Sequence, residues 1–435
     1  MSKRRRSRRP QGHPAKTTRG RARDRDRRSS RTVGPDDLAR SIMREALELT
    51  GPFDAELWGS SMLGLFWRAH DALPLEEVGS EPAVMFGGPL VEAMGRIGGG
   101  AARMALAVIE TMDDGELGLR AAEVRAALPE EPGEALPAWV GDLGKAVVTQ
   151  GAVMYEDVFD DACTVFLEAQ HPSGETHAVG VLIDNNLGGM AKDILLADSI
   201  DLVSEIVREH PQPHGDVKLE RIAGGVAAGR IHAAIELTDM TWDPPVSDDY
   251  SELRALALAR ADEATGYVVP AELSEFPYAE RDRLIAEFLS SPEGEGFAPE
   301  SEEAHAVSLA IGFCADYVDG RPLRWSPTVV ELFMADWIPR KVLGDAELFA
   351  RLPTALDAWV RFAGRKSSLP EWAIAATCEA IPDWRETMVC RSEDPAAAGP
   401  TKQFIAAAKA SGIDLEDQTA LDTFVAGWNA RSQVT

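Results

Sequence analysis

Charge is divided between two segments of this chain that cannot share one hydrophobic core. Residues 1–31 hold 14 lysines and arginines against two aspartates, a net charge of +12, and Met1 is their only large apolar side chain. The other 404 residues hold 30 basic and 69 acidic side chains, a net charge of −39. A segment without apolar side chains cannot bury a core, so we predict a disordered basic tail over residues 1–33.

The tail has the composition of an arm that binds polyanions. Each arginine that neutralises a phosphate releases counterions, which produces an affinity that is independent of nucleotide sequence and falls as salt rises. Two alternatives stay open: the tail is solvated and has no partner, or it folds back onto the acidic remainder of the chain. The residues predicted to bind nucleic acid or another polyanion are Lys3, Arg4, Arg5, Arg6, Arg8, Arg9, Arg19, Arg21 and Arg23.

The tail lacks the features of a sorting signal. No apolar run follows its arginines, so we expect neither a secretory signal nor a twin-arginine export signal. No run of 18 apolar residues occurs anywhere in the sequence, so we also expect no membrane partner. These observations predict a cytoplasmic protein, and they leave its protein partners unknown.

Hydrophobic periodicity divides the rest of the chain. Apolar residues recur at helical spacing before and after a central segment in which three runs of period 2 predict strands at 152–159, 163–170 and 177–184. Ser199 and Ser326 are predicted to cap the helices that follow them, and Pro339 is predicted to end the second of these helices. The predicted fold is therefore α+β and predominantly α-helical, with helical bundles flanking a small antiparallel β-sheet at about residues 150–185. The predicted units are the tail (1–33), a helical domain (34–136), a small α+β unit with a β-hairpin (137–215) and a second helical domain (216–435).

The pairing of the second and third predicted strands follows from the turn between them. A symmetric turn centred on Ser173 and Gly174 places Cys163 opposite Asp184, on one otherwise apolar face of the sheet. His177 then lies on the other face, so we do not expect it to pair with Asp184.

The segment after the third strand is the best candidate for a ligand site. The glycines at 188–189 let the backbone approach a ligand, Lys192 can hold an anion, and Asp184 with Asp193 offers oxygen ligands to a hard cation. Asp184, Lys192 and Asp193 are therefore the catalytic candidates. The alternative interpretation is structural: Asp184 and the asparagines at 185–186 form an Asx-turn, and the glycines bend the chain from strand into helix.

A second cluster joins arginines to tryptophan at Arg321–Trp325. Such residues can stack on a base or clamp a phosphate. In so acidic a protein we favour the alternative that Arg321 and Arg324 form ion pairs, while Trp325 and Trp337 fill the core.

Sequence motifs for the common cofactors are absent. There is no Walker A, Rossmann, Gly-x-Ser-x-Gly or His-Glu-x-x-His pattern, and the four cysteines never form Cys-x-x-Cys. We therefore predict no cofactor and no metal site, and whether the protein is an enzyme stays open. The leading hypothesis is a non-enzymatic interaction protein whose basic arm binds nucleic acid or another polyanion. The alternative is an enzyme, or a small-ligand or metal-binding protein, with its site in the loop Asp184–Asp193.

Overall fold

The computed structural model describes residues 34–71, 82–129, 135–209, 217–270 and 276–414, with a few positions between 417 and 428. The predicted basic tail lies outside the described residues, and so do all of its predicted polyanion contacts. Among the described residues, no helix combines the length and hydrophobicity that crossing a bilayer requires.

Among the described residues, five α-helices precede the sheet. Helix α1 begins at Pro35 and carries Asp36 and Asp37 in its first turn, where proline fits the backbone and acids oppose the helix dipole. Helix α2 approaches α8 (Asp248–Asp262) closely at Gly64, where a Cβ atom would overlap the carbonyl oxygen of Ser251. The helices are α1 (Pro35–Ala46), α2 (Pro52–Asp71), α3 (Pro82–Ile97), α4 (Gly99–Met112) and α5 (Glu116–Ala127).

In the part of the chain that the structure describes, the sheet is antiparallel and has five strands in the order β4-β3-β2-β1-β5. Together with the helices around it, it confirms the predicted fold class. All three predicted strands are present, but two further strands extend the sheet on either side. The strands are β1 (Val147–Glu156), β2 (Ala162–Gln170), β3 (Thr176–Asp184), β4 (Met190–Ala197) and β5 (Lys218–Ile222), with α6 (Ile200–Glu209) between the last two.

The predicted register of the hairpin is wrong by one residue. Val165 pairs with Val181, and Ala162, not Cys163, pairs with Asp184. The reason is the length of the loop: it has five residues, His171–Glu175, closed by a 2.9 Å hydrogen bond from the amide of His171 to the carbonyl of Glu175. A loop with an odd number of residues shifts the pairing by one position. Ile183 therefore pairs with Cys163, and Asp184 lies on the opposite face of the sheet.

The two faces of the sheet pack against different helices. Cys163, Val165 and Val181 belong to the large core beneath α7 (Gly224–Asp239) and α8, whereas Phe166 packs with Ile200 and its neighbours on α6. His177 and Asp184 lie on opposite faces, as predicted, because seven positions separate them on one strand. The predicted choice of face is wrong for both: His177 shares the face of Cys163, and Asp184 lies on the other face. The covering helices are α7 (Gly224–Asp239) and α8 (Asp248–Asp262).

Two large cores organise the described chain. The first runs from Ala39 to Ala264 and includes α1–α5, the sheet, α7 and α8, so it crosses the predicted boundaries at 136 and 215. The division into domains stays a prediction. The second core runs from Leu284 to Met388 and is built on aromatic side chains such as Phe333 and Trp359.

Helices supply most of the second core. Ser326 caps α11 (Pro327–Glu331) by accepting a hydrogen bond from the amide of Val329 at 3.0 Å, as predicted. Pro339 does not end this helical run as expected, since the chain passes through a π-helical segment, Leu332–Trp337, and continues to Lys341. The helices are α9 (Tyr278–Leu289), α10 (Glu302–Phe313), α11 (Pro327–Glu331), α12 (Ile338–Lys341), α13 (Ala346–Lys366), α14 (Glu371–Glu393) and α15 (Pro400–Ala410).

Candidate functional site

The loop predicted as a ligand site connects two strands, not a strand and a helix. Asp184 ends β3, a short 3₁₀ turn follows at Asn185–Leu187, and β4 begins at Met190. Gly188 and Gly189 have φ angles of +74° and +91°, which glycine adopts without steric cost. Their presence is therefore explained by the turn between β3 and β4.

Asp184 and Lys192 are brought together by this turn. One carboxylate oxygen of Asp184 accepts the amide of Asn186 at 2.9 Å, and the other accepts the ammonium of Lys192 at 3.0 Å. Asp193 has different partners, since it accepts the amide of Ile194 and the hydroxyl of Ser247, which caps α8. The three catalytic candidates thus have bonding partners within the chain, and these bonds stabilise the turn and the start of α8.

The arginines of the second cluster form ion pairs, as predicted. Arg324 donates to Asp161 at 2.7 Å and to Asp319 at 2.6 Å, and Arg321 pairs with Asp160 and Asp319. Trp325 is buried and belongs to the second core. These contacts join the turn between β1 and β2 to the second core.

One acid of this junction has a perturbed pKa. Burial raises the pKa of Asp161, although the hydroxyl of Ser326 and the guanidinium of Arg324 both favour its ionised form. Arg324 also donates to the side-chain oxygen of Asn186 at 2.8 Å, which ties the loop after β3 to the same cluster. The arrangement is a structural junction between the sheet and the helices that follow.

Sequence reasoning missed a buried polar cluster in the first core, which we call the Glu56 cluster. It consists of Glu56 from α2, Arg260 from α8, His171 from the hairpin loop and His177 from β3, and none of the four is more than 3% exposed. Arg260 donates to one oxygen of Glu56 and, through Nε, to Nε2 of His177 at 2.8 Å. The amide of Gly144 donates to the other oxygen of Glu56 at 2.9 Å.

Both Glu56 and His177 have lowered pKa values in the Glu56 cluster. Burial raises the pKa of Glu56, but His171, the Arg260 guanidinium and the Gly144 amide outweigh it and lower the value to about 2. Burial lowers the pKa of His177 to about 3, and the charge of Arg260 acts in the same direction. At neutral pH the cluster therefore contains a carboxylate, a guanidinium and a neutral His177 that accepts a hydrogen bond.

Three imidazole nitrogens of the cluster have no hydrogen-bond partner among the described residues. They are Nδ1 of His177 and both nitrogens of His171, although His171 Nε2 lies 3.3 Å from Oε2 of Glu56. Phe53 stacks on His177 with ring centroids 4.1 Å apart. In the described part of the chain, no group of three or more His, Cys, Asp or Glu side chains is arranged to hold a metal ion.

A cavity of about 360 Å³ lies beside the Glu56 cluster, between α2, the end of α4 and α8. Arg254 in its wall is paired with Asp239, which also accepts the indole N–H of Trp67 at 2.9 Å. Asp113 accepts the amide of Gly118 at 2.7 Å, and burial raises its pKa. These bonded charges stabilise the packing of the three helices around the cavity.

No protein-family model, curated protein or solved structure matches the chain. Similarity to a known protein thus assigns no function to the tail, to the loop after β3 or to the Glu56 cluster.

Proposed function

We propose that the protein binds nucleic acid or another polyanion through its basic N-terminal segment, residues 1–31, and that the acidic remainder of the chain makes no direct contact with phosphate. The observation that carries this proposal is the charge division, +12 against −39. A polyanion is attracted to the first segment and repelled by the second.

The ion pairs of the folded part support this assignment. Arg125 is bonded to Glu110 at 2.6 Å, Arg361 to Asp357 at 2.8 Å and Arg365 to Glu293 at 2.7 Å. A cation that is already paired with a carboxylate gains little from a phosphate contact. The described structure therefore adds no competing basic surface at these positions, and the tail supplies the charge.

The loop at 184–193 is not proposed as a catalytic or metal site. Lys192 is bonded to Asp184, and Asp193 is bonded to Ser247, so a ligand would have to break contacts that form the turn. No observation in the described structure favours this second function.

The proposal is tested by titrating a labelled oligonucleotide, single-stranded or duplex, and following fluorescence anisotropy. The full chain is compared with a shortened chain that begins at Gly34 and with a full-length variant in which Lys3, Arg4, Arg5, Arg6, Arg8 and Arg9 are glutamine. With six or more phosphate contacts, we expect the full chain to lose about 10³-fold or more in affinity between roughly 50 and 200 mM salt. The shortened chain should not bind. Equal binding by the full and shortened chains, or no binding by the full chain at low salt, would refute the proposal.

A further inference from the structure

We propose that, in the absence of a polyanion, the basic tail docks in the groove between α9 and α10, so that the groove and the polyanion compete for the same arginines. This inference rests on the proposed function and adds its regulation. The occupant is residues 1–33 of the same chain.

The groove combines an apolar floor with acidic edges. It encloses about 910 Å³, more than twice the volume of the cavity beside the Glu56 cluster. Its apolar lining includes Ile285, Leu289 and Ala304, and its acidic lining consists of Asp282, Glu300 and Glu302. Such a surface suits arginine, whose methylene stem packs on apolar groups while the guanidinium binds carboxylates.

The chain around this groove carries a net charge opposite to that of the tail. Residues 281–320, which include all the residues that line the groove, contain nine acidic side chains and two arginines, whereas residues 1–31 contain 14 basic side chains and two acids. Ion pairs neutralise five of the nine acids: Glu287–Lys366, Glu293–Arg365, Glu303–Arg351, Asp316–Arg281 and Asp319–Arg324.

The acids that line the groove are not neutralised in this way. Within the described part of the chain, Asp282, Glu300 and Glu302 form no ion pair, and Asp282 and Glu300 are exposed. The groove therefore keeps a local negative charge that the folded chain leaves uncompensated. The tail is the segment of this chain with the complementary charge.

Chain length permits this contact. About 30 residues reach up to roughly 100 Å when extended, whereas a folded chain of about 400 residues has a radius of gyration of roughly 21 Å. A single exposed ion pair contributes little. Several pairs formed within one molecule are strengthened by an effective concentration in the millimolar range.

Docking makes polyanion binding weaker than the free tail would allow. If the tail is docked in about 90% of molecules, the apparent affinity for the polyanion falls about tenfold, because only the undocked fraction is competent. Removing the acids of the groove should therefore raise the apparent affinity for the polyanion by the same factor of about ten.

The first test locates the tail directly in the full-length protein. A carbodiimide joins an amine to a carboxylate as an amide with loss of water, and Lys3 and Lys16 are the lysines of the tail. We expect cross-links from these lysines to Glu300 and Glu302 within one chain, and we expect excess oligonucleotide to suppress them. Cross-links that miss the groove, or that join two chains, would overturn the inference.

The second test compares two full-length variants with equal charge changes. The groove variant carries Asp282→Asn, Glu300→Gln and Glu302→Gln. The control variant carries Glu45→Gln, Glu48→Gln and Asp249→Asn, three exposed acids that form no ion pair within the described residues and lie outside the groove. Both variants are checked for an unchanged circular dichroism spectrum before titration with the oligonucleotide.

We expect the groove variant to bind the oligonucleotide up to tenfold more tightly than the control, with the largest difference at low salt. Equal affinities of the two variants would refute competition by the groove. Cross-links to the groove in a protein that binds no oligonucleotide would support docking and refute the proposed function, so the two failures are distinguishable.

Discussion

Glu56 and Arg260 stand 204 positions apart in the sequence and form an ion pair that is almost completely removed from solvent. The pair joins α2 to α8, and His177 accepts a further hydrogen bond from Arg260. A buried ion pair of this kind stabilises only while both partners are present, since either charge alone is costly in a medium of low dielectric constant.

Glu56→Gln is expected to destabilise the protein by about 3–5 kcal/mol, because it leaves the guanidinium of Arg260 buried without a counter-charge. The free energy of unfolding is measured by denaturant titration. Glu110→Gln serves as the matched control, since its partner Arg125 and Glu110 itself are each about one-third exposed. Its expected cost is below about 1 kcal/mol. Equal losses in the two variants would show that the Glu56 pair is not desolvated.

Acid is expected to destabilise the protein through His177. Its pKa is about 3 in the folded state and 6.5 in the unfolded chain, so below pH 6.5 the unfolded state binds the additional proton. Stability therefore falls as the pH drops from 6.5 towards 3, by about 2 kcal/mol near pH 5. The pKa of Glu56, lowered from 4.5 to about 2, extends the loss from pH 4.5 towards pH 2.

The contribution of His177 to the pH dependence of stability is isolated by His177→Gln. The amide oxygen of the glutamine can still accept a hydrogen bond from Arg260. Melting temperatures are measured between pH 7 and pH 5 for this variant, for the unmodified protein and for His305→Gln, which changes an exposed histidine. We expect the melting temperature of His177→Gln to change less with pH than the melting temperatures of the other two proteins. An unchanged profile would mean that His177 titrates normally in the folded state.

Asp184→Ala tests the turn between β3 and β4. The change removes the acceptor for the amide of Asn186 and for Lys192, and we expect a loss of about 1–3 kcal/mol. Asp184→Asn keeps an acceptor oxygen and should lose much less. Glu175→Ala, in the exposed hairpin loop of the same sheet, is the control. A rise in melting temperature for Asp184→Asn would instead indicate a strained functional carboxylate.

Local signals in the sequence predicted much of the fold. Ser199 and Ser326 cap α6 and α11 as expected, because a cap depends on a residue two or three positions further along the chain. The runs of period 2 located three strands for a similarly local reason. The sequence does not predict strand β4, because the glycine pair at 188–189 also suits a bend into a helix. Strand β4 is defined by its pairing with β3, which no local pattern shows.

The candidate sites were less predictable. The sequence located the charged residues at 184–193 and 321–325 but could not show which carboxylate each cation would meet. For Arg321 and Arg324 the prediction of ion pairing is confirmed, because an acidic chain offers a partner in almost any fold. The Glu56 cluster carries no motif, since its members come from four separate segments.

By itself, the sequence determined the charge division, the helical and strand periodicities and the caps, all of which depend on composition or on neighbours along the chain. Tertiary structure alone decided the hairpin register, the two outer strands β4 and β5, and the burial of Glu56, Arg260, His171 and His177 together. The physical reason is that a buried charge is tolerated only beside its partner. Which distant residue becomes that partner is settled when α2, α8 and the sheet pack against each other.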